Sequence, residues 1–321
     1  MRMPARSCCL ENGPGVYKKA APHSIEYFGS DRNYLWNLDY VGLLASRLGL
    51  RRCKWVLDVG CGQGHWTRTL LPWLAHCPRL VGVDLEPDHL AEYERVVNLE
   101  RGVAGAKGIQ ASADRIPVDA NKFDLVTCQT LLMHVPSPED AVQEMVRVAK
   151  PGGLVVCVEP NNTVARMPLL ELSRGLGPDD VLLLSELGLR ISIGLKRRGK
   201  SEEFVGERLP ALLQDAGLED VQVWLSDKAF HDLPPYDSDA QVARQLAVDG
   251  HWRNGTGAFD EEDAKASFLA ADGNQTQFDR CWQAFQAAWH DAKALRDRGR
   301  WRAAGGGLLY IAAGRKPPDL H

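Results

Sequence analysis

The sequence predicts an α/β protein built on a mostly parallel sheet with helices on both faces. Three observations predict it. Segments of strand length alternate with segments of helical period from residue 54 to residue 160, the order that parallel strand–helix–strand units require. The strands read as nearly unbroken apolar runs, Leu154–Glu159 above all, as strands covered on both faces do. An acid and three glycines stand directly after the first strand, in Asp58-Val59-Gly60-Cys61-Gly62-Gln63-Gly64. Open α/β sheets bind ligands at such strand ends.

The elements follow in order. Residues 34–49 carry Tyr40, Leu43, Leu44 and Leu48 at helical spacing. Lys54–Val59 reads as a short buried strand, and His65–Ala75 as a helix that Pro72 ends or kinks. Leu80–Asp84 is a second strand. Pro87 opens a helix whose face is Leu90, Tyr93 and Val97. Phe123–Cys128 is another strand. Ser137 caps and Pro138 opens the next helix, with Val142, Met145, Val146 and Ala149 on one side, and Lys150-Pro151-Gly152-Gly153 stops it.

After Glu159 the alternation lapses. Residues 161–200 are leucine-rich, read as helical, and end in the basic run Lys196, Arg197, Arg198 and Lys200. It resumes with a helix through Leu212 to Gly217 and a strand Val221–Leu225. Residues 231–306 interrupt it again, with Phe278, Trp282, Phe285 and Trp289 on one helical stripe, which reads first as core packing. Leu308–Ala313 is a last strand.

Composition narrows the function classes. The chain has 321 residues, a formal net charge of −4 and 45% hydrophobic residues. No global basic field draws it to nucleic acid or to an anionic membrane. No apolar run approaches the roughly 20 residues that span a bilayer. The first ten residues lack the apolar core of a secretion signal, so a cytoplasmic protein is expected. None of the 8 cysteines forms a Cys-x-x-Cys pair or a zinc-like spacing with histidine, so reduced, buried thiols and no metal are expected.

The glycine turn carries the chemistry. Glycines allow a tight turn and close approach of backbone to a ligand, and exposed turn amides suit a carboxylate. Asp84 ends the second strand twenty residues after Gly64, where an acid accepts two hydrogen bonds from a ribose diol. Dinucleotide sites use G-x-G-x-x-G. Here the spacing is D-x-G-x-G-x-G, followed by His65 and Trp66, which argues against a pyrophosphate.

With these residues in hand, the sequence resembles the class I S-adenosylmethionine-dependent methyltransferases, in particular the type 11 small-molecule group. LDVGCGQG resembles the first motif, VGVDLEP the second, and QASADRIPVDANKFDLV the third and fourth. HVPSPEDAVQEMVRVAKPGGLVVCVEP resembles the helix, glycine turn and fifth strand. The resemblance covers residues 34–160, and more loosely 203–229 and 308–315. It implies a Rossmann-like seven-stranded mostly parallel sheet with an added helical lid, and S-adenosyl-L-methionine as cofactor.

The implied domains are an N-terminal segment 1–33 folding over the cofactor, a core 34–160, a lid insertion 161–202, core again at 203–230, a second lid insertion 231–306, and a last strand with tail at 307–321. Gly60, Gly62 and Gly64 would shape the turn around the methionine part. Asp58 would hold that turn or reach the amino group through water. Asp84 would bind the ribose and Leu85 would pack on the adenine. Ala113 and Asp114 would lie at the adenine edge. The family often has an acid where Ser112 stands; the hydroxyl would accept the same bond without charge, and Asp114, two residues on, is a candidate substitute. Gln129 would face the methionine end.

Methyl transfer needs positioning and exclusion of water, and a base only where the acceptor carries a proton. His134, after the fourth strand, is the general-base candidate. Tyr27, with Tyr17 and His23, lies in the segment that folds over the cofactor in similar enzymes, and Tyr27 is the second catalytic candidate. Glu159 either points to the pocket rim or bonds a loop amide. Lid insertions suit a small or medium-sized organic acceptor, methylated at oxygen or nitrogen.

Gln129-Thr130-Leu131-Leu132 is not the Asn/Asp-Pro-Pro-Tyr/Phe of enzymes that methylate bases or glutamine, so no nucleic-acid partner is expected. No membrane partner is expected either, and the protein is read as a monomer or homodimer. Three alternatives stay open: a cofactor-binding regulatory subunit without catalysis, a methyltransferase acting on a peptide or protein, and another use of the same cofactor such as aminopropyl transfer or cyclisation.

Overall fold

The computed structural model describes residues 30–76, 78–160, 162, 176–253, 260–305 and 308–318. Strand β1 is Trp55–Val59, and β2 is Arg79–Asp84. Strand β3 is Gly105–Gln110, and β4 is Phe123–Gln129. Strand β5 is Ala149–Pro160, and β6 is Glu219–Leu225. A short pair, β7 at Phe230–Asp232 and β8 at Ala303–Gly305, forms a separate antiparallel ribbon. Strand β9 is Leu309–Arg315. The main sheet has seven strands in the order β3-β2-β1-β4-β5-β9-β6. Only β9 runs against its neighbours. The fold is a Rossmann-like seven-stranded, mostly parallel sheet.

Side-chain alternation along the central strands feeds two cores, one on each face. In β1, Val56 joins one cluster, and Leu57 and Val59 join the other. In β5, Leu154, Val156 and Val158 face one side, and Val155 and Cys157 the other. Helices α1 (Leu38–Leu48), α2 (His65–Leu70) and α3 (Pro87–Val97) cover the first face. Helix α4 (Pro138–Val148), capped by Ser137 Oγ on the Asp140 amide, covers the second. Among the described residues, Cys53, Cys61, Cys128, Cys157 and Cys281 are free and buried.

Several boundaries move. Helix α2 ends at Leu70, and Pro72 lies in the 3-10 turn Leu71–Trp73 that follows. Ala149 belongs to β5, where it pairs with Phe123, and not to the preceding helix. Strand β3 was not marked by the sequence pattern. It is an edge strand with two glycines and no fully buried residue, so it has no apolar run to display.

Beyond β5, helices α5 (Pro178–Arg197) and α6 (Val205–Asp215) follow, and α6 packs on the sheet. Helices α7 (Asp239–Arg253), α8 (Glu261–Ala270) and α9 (Gln275–Asp297) come between β7 and β8. Helices α5, α8 and α9 share a third core of Leu184, Leu187, Ile191, Phe268, Phe278, Trp282 and Phe285. The aromatic stripe is this core. Phe278 stacks on Trp282 with centroids 5.5 Å apart, and Trp282 meets Phe285 at 5.1 Å. The basic run ties the bundle together: Arg197 pairs with Asp272 at 2.6 Å, Arg198 with Asp263 at 2.9 Å, and Lys196 with Glu202 at 2.8 Å. The chain leaving α5 lies on the loop after β4, where the Glu202 amide donates to Met133 O at 2.8 Å. Among the described residues, no helix is long and apolar enough to cross a membrane.

Candidate active site at the carboxyl ends of the strands

Reversal of strand order between β1 and β4 opens a crevice at their carboxyl ends. The turn after β1 forms one wall. Gly60 has φ +68 and Gly62 φ +49, a region where a side chain costs roughly 1–2 kcal/mol. A Cβ on Gly60 would stand 2.6 Å from Leu131 Cδ1, whereas one on Gly62 would meet nothing within 4 Å. Gly60 is therefore fixed by packing, and Gly62 faces open space.

The turn amides were expected to be available to a ligand. Most are already bonded within the protein. Gly60 and Cys61 donate to Val83 O at 2.7 and 3.0 Å, and Gly64 to Cys61 O at 2.9 Å. Gly62 donates to Asp84 Oδ2 at 2.9 Å. These bonds stitch the turn to the end of β2 and hold Asp84 beside it. Its Oδ1 accepts from the Glu86 amide at 3.0 Å and faces His89 Nδ1 at 3.5 Å. Asp84 keeps 14% of its side chain exposed.

Asp58 is buried, and Thr67 Oγ1 donates to its Oδ2 at 2.6 Å. Its Oδ1 is buried without a hydrogen-bond partner. Burial pushes the Asp58 carboxyl up to about 7; the Thr67 bonds pull it down and Asp84 adds a further upward push. His65 opens α2, and its Nδ1 lies 3.0 Å from Asn33 Oδ1. Burial, then Arg68 and Arg32, hold His65 down to about 4.

The other wall comes from β2, β3 and β4. Leu85 is 62% exposed just past β2, and Gln110 Nε2 donates to its carbonyl at 3.0 Å. Ser112, Ala113 and Asp114 form a turn past β3, in which Ala113 is buried and Asp114 exposed. Gln129 closes β4 beside Val158. His134 is exposed on the following turn, its amide donating to Leu131 O at 2.8 Å. Glu159 does not reach a pocket rim. It is fully buried, and its Oε1 accepts from the amides of Leu131 and Leu132 at 2.9 and 2.7 Å. Tyr27, Tyr17 and His23 lie outside the described residues.

The fold thus brings Asp58, Gly60, Gly62, Gly64, Asp84 and Leu85 to one edge, with Gln129 at the end of β4 and Ser112–Asp114 and His134 on the adjacent turns. Thr67, Thr130 and Leu131 were missed. No periodicity links Thr67 to Asp58 or Leu131 to Gly60, because each contact joins two separate elements. Among the described residues, no group of three or more His, Cys, Asp or Glu could hold a metal ion.

A family model described as a methyltransferase domain matches residues 57–157, the stretch that builds these turns. Residues 57–157 thus match a methyltransferase domain. Demethylmenaquinone methyltransferase of Geobacillus sp. (strain WCH70) is 36% identical to the chain over 128 residues, 40% of this chain and 53% of that protein. Ubiquinone biosynthesis O-methyltransferase of Xylella fastidiosa (strain M23) is 35% identical over 132 residues, 41% of this chain and 50% of that protein. The chain spans about half the length of the curated relatives it matches. Among solved structures, the YcgJ protein of Bacillus subtilis is 16% identical with a TM-score of 0.48, covering 88% of this chain and 99% of that one. The matched methyltransferase domain ends two residues before Glu159, so α5 to α9 and the β7–β8 ribbon lie outside it.

Proposed function

We propose that the protein is an S-adenosyl-L-methionine-dependent methyltransferase acting on an oxygen or nitrogen of a small or medium-sized organic acceptor beneath the α5–α8–α9 bundle. One observation carries it: Asp58 Oδ1, buried and unpartnered, stands at the end of the strand that leads into the glycine turn, beside Asp84. A buried carboxylate oxygen without a donor is costly. Asp58 Oδ1 would accept from the amino group of a bound cofactor, directly or through water. Open space at Gly62 and the exposed Leu85 past β2 fit the methionine and adenine parts.

When bound, the cofactor supplies an electrophilic methyl group on a sulfonium. The chain's own residues have three tasks. Asp84 orients the ribose through its carboxylate, already fixed by two amides. The bundle would exclude water from the crevice, since the chain leaving α5 bonds the post-β4 loop through the Glu202 amide and Met133 O. His134 takes the proton from an acceptor hydroxyl or ammonium through its imidazole. The relative named as a ubiquinone biosynthesis O-methyltransferase favours oxygen.

The test is calorimetric titration with S-adenosylmethionine, S-adenosylhomocysteine and NAD. Binding of the first two alone is expected; binding of NAD alone would replace this reading with an oxidoreductase. With an acceptor in hand, His134→Ala is expected to lower kcat by about 100-fold or more, with S-adenosylhomocysteine affinity unchanged. Equal turnover would make His134 structural.

A further inference from the structure

We infer that Glu159 is the positioning residue of this site: through one carboxylate oxygen it holds the turn Thr130–His134 in place, and through Leu131 it holds that turn against the glycine turn. The inference rests on the reading that these two turns hold the cofactor.

The turn after β4 does not hold itself. Thr130 has φ +52, a left-handed conformation unfavourable for a β-branched residue, which persists only where its surroundings impose it. The Thr130 amide continues the β4–β5 pairing by donating to Val158 O at 2.8 Å. The next amides then converge. Leu131 and Leu132 both donate to Glu159 Oε1, at 2.9 and 2.7 Å, and the Met133 amide also favours its ionised form. Successive backbone amides aimed at one point form a concavity for an anion. Here the chain fills that concavity with its own carboxylate.

The consequence reaches both walls. Leu131 Cδ1 lies so close to Gly60 that a Cβ there would be 2.6 Å away. The two turns therefore touch at a contact with no slack. His134 is in the same unit, since its amide bonds Leu131 O. Loss of the Glu159 acceptor frees Leu131 from Gly60 and lets His134 swing. Glu159 itself is wholly buried, so it acts through the turn.

Two near-isosteric variants of the full chain separate positioning from space filling. Glu159→Gln keeps an accepting oxygen; Glu159→Met fills the space and accepts nothing. Two quantities are read: hydrogen exchange at the Leu131 and Leu132 amides, referenced to the Trp55 amide held by Asp124, and S-adenosylhomocysteine affinity. Glu159→Met is expected to speed exchange at both leucines at least tenfold and weaken affinity about tenfold, with Glu159→Gln within threefold of wild type on both. Wild-type behaviour of Glu159→Met overturns the inference, as does faster exchange with unchanged affinity. If Glu159→Met does not fold, a tenfold loss of affinity in Glu159→Gln overturns it instead. A wild-type chain that binds no S-adenosylhomocysteine retracts the cofactor reading, and the exchange contrast still decides whether Glu159 holds the turn.

Discussion

The two edges of the main sheet treat their carboxylates in opposite ways. At the amino edge, Asp124 near the start of β4 accepts from the amides of Lys54 and Trp55 at 2.9 and 2.8 Å and from the Lys150 ammonium. Burial pushes its carboxyl up, but these donors outweigh burial and hold it below its ordinary value. Lys316 closes the same edge, its ammonium 2.7 Å from Asn121 Oδ1, 2.9 Å from Val146 O and 3.0 Å from Ala149 O. At the carboxyl edge, Asp58 and Glu159 each leave one oxygen buried without a partner. Burial raises both to about 7, against the downward pull of the Thr67 bonds on one and of the loop amides on the other. Carboxylates at one edge have their hydrogen bonds completed by the protein; those at the other keep one oxygen open.

The largest expected effect tests the amino edge. Asp124→Ala leaves two amides and an ammonium without their acceptor and should cost about 2–3 kcal/mol of stability. Urea unfolding reads the loss, and S-adenosylhomocysteine affinity should stay within twofold of wild type. A matching loss of affinity would mean that the edges are not independent. Next is Asp84→Ala, which should weaken S-adenosylhomocysteine binding by about 1–3 kcal/mol through loss of a charged acceptor, with less effect on unfolding than Asp124→Ala. Unchanged binding in calorimetry would remove Asp84 from the site.

The smallest expected effect is a pH dependence. A carboxyl raised in the folded state binds its proton more tightly there than in the unfolded chain, whose value is about 4. The stability it contributes is full below about pH 4 and falls away as pH rises through about 7. Between about pH 6 and 7.5 each of the two carboxyls should lose about 1 kcal/mol. Asp58→Asn should flatten the curve by one such share; a curve of unchanged slope would mean that Asp58 stays ionised throughout. Asp124 has the opposite sign, its contribution being present above about pH 4 and lost in acid.

Much of the site was legible because its parts are local. Asp58, Gly60, Gly62 and Gly64 lie within seven residues, and a strand running into glycines is a one-dimensional pattern. Asp84 followed from its place at the next strand end. The resemblance supplied the strand count, since β3 itself, half-exposed and glycine-bearing, gave no periodic signal. For Glu159 the sequence leaves open a pocket rim or a loop amide, and the fold decides for the amides of Leu131 and Leu132, while the amides of the glycine turn are largely bonded within the protein.

The sequence by itself determined the α/β alternation, the buried central strands and the acid–glycine turn, and it favoured packing for the stripe at residues 278–289. These follow from spacing between near neighbours, which backbone period and side-chain chemistry fix directly. The tertiary structure alone decided which oxygen is satisfied and which is left open. Thr67 reaches Asp58 across 9 residues, Leu132 reaches Glu159 across 27, Trp55 reaches Asp124 across 69, and Lys316 reaches Val146 across 170. Such contacts are set by how strands and helices stack, and no period along the chain records them.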